Sequence, residues 1–143
     1  MSPQTNIINW FEIPVSDMAR AKHFYETIFG IEMYEETIAG TQMAYFPGEP
    51  GSGKVSGALA LSPDHKPTAD GVVVYLNANP AMNPIMDKVT EAGGTVLMPR
   101  TLITPEIGYM AFFFDTEGNK MALHSTEGIH IPIHDMESVI VGE

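Results

Sequence analysis

Apolar and polar positions follow one another along this chain in two rounds of the same order. Asn9 to Val15 alternates with period two, placing Trp10, Glu12 and Pro14 on one face and Phe11, Ile13 and Val15 on the other, which predicts a strand. Asp17 follows as a helix N-cap, since its carboxylate can accept from the orphan amides of a first turn. Ala21, Phe24, Tyr25 and Ile28 then recur at i, i+3, i+4 and i+7, one apolar stripe on a helix of about three turns. Gly30 is placed to end that helix, because glycine takes the left-handed conformation without strain. Three short strands are predicted next, at Met33–Ile38, Gln42–Phe46 and Ser56–Leu61.

The second round opens over residues 72–98 and continues to Ser125. Asn79 is the expected cap, and Pro80 sits at the first helical position, where its missing N–H costs nothing. Met82, Ile85, Met86 and Val89 form the stripe before Gly93-Gly94, and strands are predicted at Thr95–Met98, Gly108–Phe114 and Lys120–Ser125. Met43-Ala44-Tyr45-Phe46 is answered by Met110-Ala111-Phe112-Phe113, and Ala60-Leu61-Ser62 by Ala122-Leu123-His124, at offsets of 62 to 67 residues. Each half therefore reads β-α-β-β-β, and the class is α+β. The expectation is one domain over 1–143, with module one at 6–62, module two at 70–126 and a tail at 127–143. The tail carries I-H-I-P-I-H, which alternates like an edge strand around Pro132. Two copies of one unit must pack together, and a cleft between them is the natural place for a ligand.

Charge narrows the partners. Eighteen acidic against seven basic residues give a net charge of −11, which argues against nucleic acid and against anionic membrane surfaces. No stretch approaches the roughly 20 apolar residues that span a bilayer, and the opening MSPQTN has neither a basic nor an apolar targeting region. With no cysteine there is no disulfide, thiol nucleophile or thiolate-bound metal; a cytoplasmic location is the default expectation.

Two motifs, one in each half, carry a resemblance. D-x₆-F-Y-x₄-G-I runs from Asp17 through Phe24-Tyr25 to Gly30-Ile31, and D-x-x-G-N runs from Asp115 to Asn119. Together they resemble the vicinal oxygen chelate superfamily of glyoxalase I, bleomycin-resistance proteins and extradiol dioxygenases, over residues 7–126. The opening F-E-I-P-V-S-D-M-x-R-A-K-x-F-Y is most similar to small bacterial glyoxalase-like proteins. The resemblance implies two modules forming a cupped mixed sheet, a ligand or divalent metal in the cup, and a homodimer in which a second subunit completes an open cup. At the positions where the family's enzymes place metal ligands, this chain has Trp10, Gly57, Val72 or Val73, and Ala122. None offers an imidazole or carboxylate donor, so no cofactor is predicted from the standard site.

Other residues are then weighed for chemistry. Glu12 shares a strand face with Trp10, the face that looks into the cup in the family; among Trp10, Met110, Phe112 and Phe114 it would be desolvated into a general base. Its plainer reading is a polar residue at the rim, bonded to a backbone amide or to Arg100. His124 shares the face of Ala122 and is expected either to orient Glu12 or to hold a displaced metal with it, helped by Gln42 or His23. His23 itself falls out of phase with the apolar stripe and reads as solvent-exposed. His130 and His134 are spaced i, i+4 but straddle Pro132, and His65 lies in a Pro-rich loop, so neither makes a site. Gly48 to Lys54 matches G-x₄-G-K, but Val55 and a strand follow where a hydroxyl and a helix are needed, so it reads as a loop at the mouth of the cup. Tyr45, Tyr75, Tyr109, Met110, Phe112 and Phe114 are candidates for an apolar lining, while Met82 and Met86 belong to the core.

The expected function is binding of a small, mainly apolar molecule in the cup, with or without metal-independent conversion. Trp10, Tyr75, Met110, Phe112, Phe114 and His124 are the expected contacts, and Glu12 the catalytic group. Two alternatives stay open: a metal-dependent lyase, isomerase or dioxygenase with Glu12 and His124 as relocated ligands, and a non-catalytic sequestering protein.

Overall fold

A computed structural model describes residues 1–128. Its elements run β1 (Trp10–Pro14), α1 (Met18–Phe29), β2 (Tyr34–Ile38), β3 (Thr41–Tyr45), β4 (Ser56–Leu61), β5 (Tyr75–Asn77), α2 (Asn83–Met86), β6 (Thr95–Thr104), β7 (Gly108–Phe114) and β8 (Lys120–Ser125). They make two four-stranded sheets of matching order, β1-β4-β3-β2 and β5-β8-β7-β6. In each, the first strand pairs in parallel with the last and the other pairings are antiparallel. The duplicated β-α-β-β-β unit is thus present in space. The I-H-I-P-I-H run with His130 and His134 lies outside the described residues.

The first helix forms as its pattern dictates. The Asp17 carboxylate accepts from the Arg20 amide at 3.0 Å, and Gly30 closes the helix at φ 64° with its amide bonded to the Glu26 carbonyl. Met18, Ala21, Phe24, Tyr25 and Ile28 are buried. They face Ile13, Val15, Ala44 and Leu59 of the first sheet, and Leu76, Ala111, Phe113 and Leu123 of the second, in one continuous core. The apolar faces of the helices therefore look into a shared interior, and each sheet turns one face toward it.

The second helix departs from expectation. Only Asn83–Met86 is helical, Met82 stands at its N-cap, and Pro84 rather than Pro80 lies in the first turn. Asn79 does not cap it: its carboxamide oxygen accepts from the Thr126 amide at 2.9 Å. The Met82 amide is bonded instead by the Glu127 carboxylate at 2.9 Å, from beyond the last strand. The stripe survives the shortening, with Met82, Met86 and Val89 buried. The sixth strand runs on past Met98 through Pro99 to Thr104 with shifts of register, and the fifth is reduced to three residues.

The D-x-x-G-N turn clasps the modules together. The Tyr25 hydroxyl donates to Asp115 at 2.7 Å, and the Asn119 carboxamide donates to Asp115 at 2.9 Å and to the Pro14 carbonyl at 2.8 Å. From the same turn, Glu117 accepts from the Ser16 and Asp17 amides at 2.8 and 2.9 Å and from Arg20 at 2.8 Å. A carboxylate of module two therefore completes the N-terminus of the helix in module one, where the helix dipole favours it. Burial raises the Glu117 carboxyl, but Arg20 and the two amides outweigh it and hold it at about 2 against an ordinary 4.5. Burial, and then Asp115, push the Tyr25 phenol far above its usual range.

Candidate functional site

With their helix-side faces packed, both sheets leave the opposite faces open. Strand register shows what those faces carry. On the first sheet Trp10 lies opposite Ser56, Glu12 opposite Ala58, Tyr45 opposite Ala58 and Tyr34, and Glu36 opposite Met43. On the second, Tyr75 and Phe112 flank Ala122, His124 lies between Asn77 and Met110, and Phe114 lies opposite Lys120. Trp10 is 45% exposed, Tyr75 51% and Tyr34 70%, large rings that no element among the described residues covers.

The first face is a linked set. The Trp10 indole N–H donates to Glu12 at 3.2 Å, and the Tyr45 hydroxyl donates to Glu36 at 2.9 Å. Trp10 meets Tyr45 edge-on with centroids 5.9 Å apart, and Tyr34 stacks on Tyr45 at 6.4 Å and 15°. Partial burial, and then the Glu36 carboxylate, raise the Tyr45 phenol. A cavity of about 490 Å³ opens between these three rings and the 47–54 loop.

The second face is looser. Tyr75 and Phe112 meet edge-on at 5.9 Å, and the Lys120 ammonium sits 5.0 Å over the Phe112 ring. His124 is 2.6 Å through Nε2 from the Ile107 carbonyl and borders a cavity of about 500 Å³ with Tyr75, Asn77 and Ile107. A larger cleft of about 740 Å³ is walled by Phe11, Phe29 and Phe46 of module one and by Val74 and Leu76 of module two, with no carboxylate or imidazole on its walls among the described residues.

The predicted site residues thus fall into two groups that one chain does not bring together. Trp10 and Glu12 belong to the first face; Tyr75, Met110, Phe112, Phe114 and His124 belong to the second. No strand of one sheet pairs with a strand of the other; the modules meet through α1, which contacts α2 and packs Phe24 against Phe113, and through the Asp115–Asn119 turn. The reason is topological: both sheets direct their apolar faces inward, so their open faces cannot meet across the same core. Glu12 is consequently exposed and partnered by Trp10, not desolvated by Met110, Phe112 and Phe114. Nor does Arg100 reach Glu12. Its guanidinium pairs with Glu127 at 2.8 Å and lies 4.1 Å over Tyr109, which packs against the core instead of lining the cup.

Two residues of the first face, Tyr34 and Glu36, escaped the sequence reading, as did the stacking of Tyr34 on Tyr45. The signal was present: Y-E-E-T-I alternates, placing Tyr34, Glu36 and Ile38 together, and the Ala39-Gly40 turn sets their register on β3.

A profile of the glyoxalase/bleomycin resistance protein/dioxygenase superfamily matches residues 7–123. The chain belongs to this superfamily. A glyoxylase-like domain-containing protein of Didymella fabae is 30% identical over 128 residues, 85% of this chain and 94% of that one. Among solved structures, a glyoxalase/bleomycin resistance protein from Albidiferax ferrireducens T118 superposes with a TM-score of 0.61 at 17% identity, covering 82% of this chain and 97% of its own. TnmS3, an antibiotic binding protein from Streptomyces sp. CB03234, superposes at 0.58 with 20% identity, covering 87% and 98%.

Many superfamily enzymes hold a divalent metal, and the donor set here does not fit one. Among the described residues no three His, Asp or Glu side chains converge. Trp10 and Ala122, which offer no donor, stand on the open faces where donors would be needed, and within one chain Glu12 and His124 lie on separate sheets. Gly57 has no room for a ligand: it faces the core, and a Cβ there would lie 2.4 Å from the Phe11 carbonyl oxygen. Among the described residues, no helix is long and apolar enough to cross a membrane.

Proposed function

We propose that this chain binds a small, mainly apolar molecule on the open faces of its sheets, in a cup that a second copy of the chain closes, without a metal. The carrying observation is the pair of uncovered aromatic faces. Each sheet already buries one side against the helices, yet its other side presents Trp10, Tyr34 and Tyr45, or Tyr75, Met110 and Phe112, to solvent. Exposed aromatic patches of this kind mark binding surfaces. Opposing the first face of one copy to the second face of another would bring Trp10 and Glu12 to Met110, Phe112, Phe114 and His124. Glu12 would then act as the polar anchor or, once desolvated, as a base. The same fold serves antibiotic binding in TnmS3, which supports binding as a sufficient role.

The neutral fluorophore N-phenyl-1-naphthylamine tests this on the full chain after treatment with EDTA. Saturable binding is expected, weakened at least fivefold by Trp10→Ala and by Phe112→Ala. Non-saturable binding, or binding that requires added Zn²⁺ or Ni²⁺, would overturn it.

A further inference from the structure

Resting on the reading that the open faces take ligand, we infer that the cavity beneath the 47–54 loop selects an organic cation, an alkylammonium or a flat cationic ring. Three aromatic side chains wall it from three strands: Trp10 on β1, Tyr34 on β2 and Tyr45 on β3. Trp10 stands edge-on to Tyr45 while Tyr34 lies nearly parallel to it, so the rings offer both faces and edges to the same space. Ring faces are electron-rich and attract a cation within about 6 Å, tryptophan most strongly.

Charge reinforces the rings from behind. The Trp10 N–H and the Tyr45 O–H are each donated to a carboxylate, Glu12 and Glu36. A donor bonded to an anion shifts electron density back into its ring, and hydrogen-bonded chains polarise one another in this way. Among the described residues neither Glu12 nor Glu36 forms an ion pair; the three ion pairs present use Glu117, Glu35 and Glu127. Two more carboxylates, Glu32 and Glu49, lie on the cavity wall itself. A neutral apolar guest would leave this concentration of negative charge unanswered, whereas a cation answers it. The volume of about 490 Å³ suits a small molecule and not a peptide.

One residue opposes the rest. Lys54, on the loop, is the single cationic side chain among the lining residues. Its charge repels a cation in the same cavity, and its removal should tighten binding.

The chain has one tryptophan, so tryptophan emission reports the surroundings of Trp10 on this face. Benzyltrimethylammonium and its neutral carbon isostere neopentylbenzene are titrated into the full chain and followed by that emission. The cation is expected to give a saturable change, with the isostere at least tenfold weaker. Tyr34→Leu should weaken the cation at least fivefold; at 70% exposure this side chain can be removed without touching the core. Glu36→Gln should weaken it by a smaller factor, Lys54→Ala should strengthen it, and His65→Ala, exposed in the 62–71 loop, should leave it unchanged. Equal binding of the two probes would overturn the inference while leaving the apolar cup standing. A response to neither probe would overturn both.

Discussion

At the scale of single residues, Glu117 shows how far a side chain can act from its own strand. It belongs to module two, but all its partners except Thr116 belong to module one. Because its folded pKa of about 2 lies below the ordinary 4.5, its contribution is fully present above pH 4.5 and is lost as pH falls toward 2. Replacing it as Glu117→Gln should cost roughly 1–3 kcal/mol at neutral pH, the range for hydrogen bonds to a charged group, with the half-exposed Arg20 contributing the screened part. Urea unfolding at a series of pH values checks this: the gap between native chain and variant should close as acid protonates Glu117. A gap that stays constant down to pH 2 would deny the carboxylate that role. The sequence showed D-x-x-G-N as a motif and a turn, which it is. That Tyr25 and Asp115 are bonded, 90 residues apart, could not be read there, since a pairing across modules exists only once both have docked.

At the scale of elements, strong local signals were sufficient and weak ones were not. The first helix has a side-chain cap, an unbroken stripe and a terminal glycine, and it forms as that pattern specifies. In the second half, Asn79 and Pro80 offered an equally plausible start, but the Asn79 carboxamide is taken by Thr126 and the Met82 amide is satisfied by Glu127. Tertiary partners had overridden local capping. Likewise the strands were legible by alternation, but which sheet face met which was not, so Trp10 and Phe112 were assigned to one cup. Gly57 gives a clean test at this scale. Its strand runs so close to β1 that an added methyl would strike the Phe11 carbonyl and ring at 2.4 and 2.6 Å. Gly57→Ala should therefore destabilise by at least the roughly 1–3 kcal/mol typical of overpacking, seen as a lower urea midpoint. An unchanged midpoint would mean the two strands can separate freely.

At the scale of the whole molecule, the packed interior and the two open faces support the proposed pairing with a second copy. Sedimentation equilibrium should return twice the 15.6 kDa of one chain, and Phe112→Ala or Trp10→Ala should shift the balance toward single chains. A single chain at all concentrations would leave each face to bind on its own. The residues of the open faces, among them Trp10, Tyr34, Tyr45, Tyr75, Met110, Phe112 and His124, are absent from the buried core and from the Tyr25–Asp115–Glu117 clasp. Natural selection can therefore rewrite one set without disturbing the other. A lineage carrying this scaffold is free to explore new chemical targets by drift on its outer walls, with its folding left intact throughout.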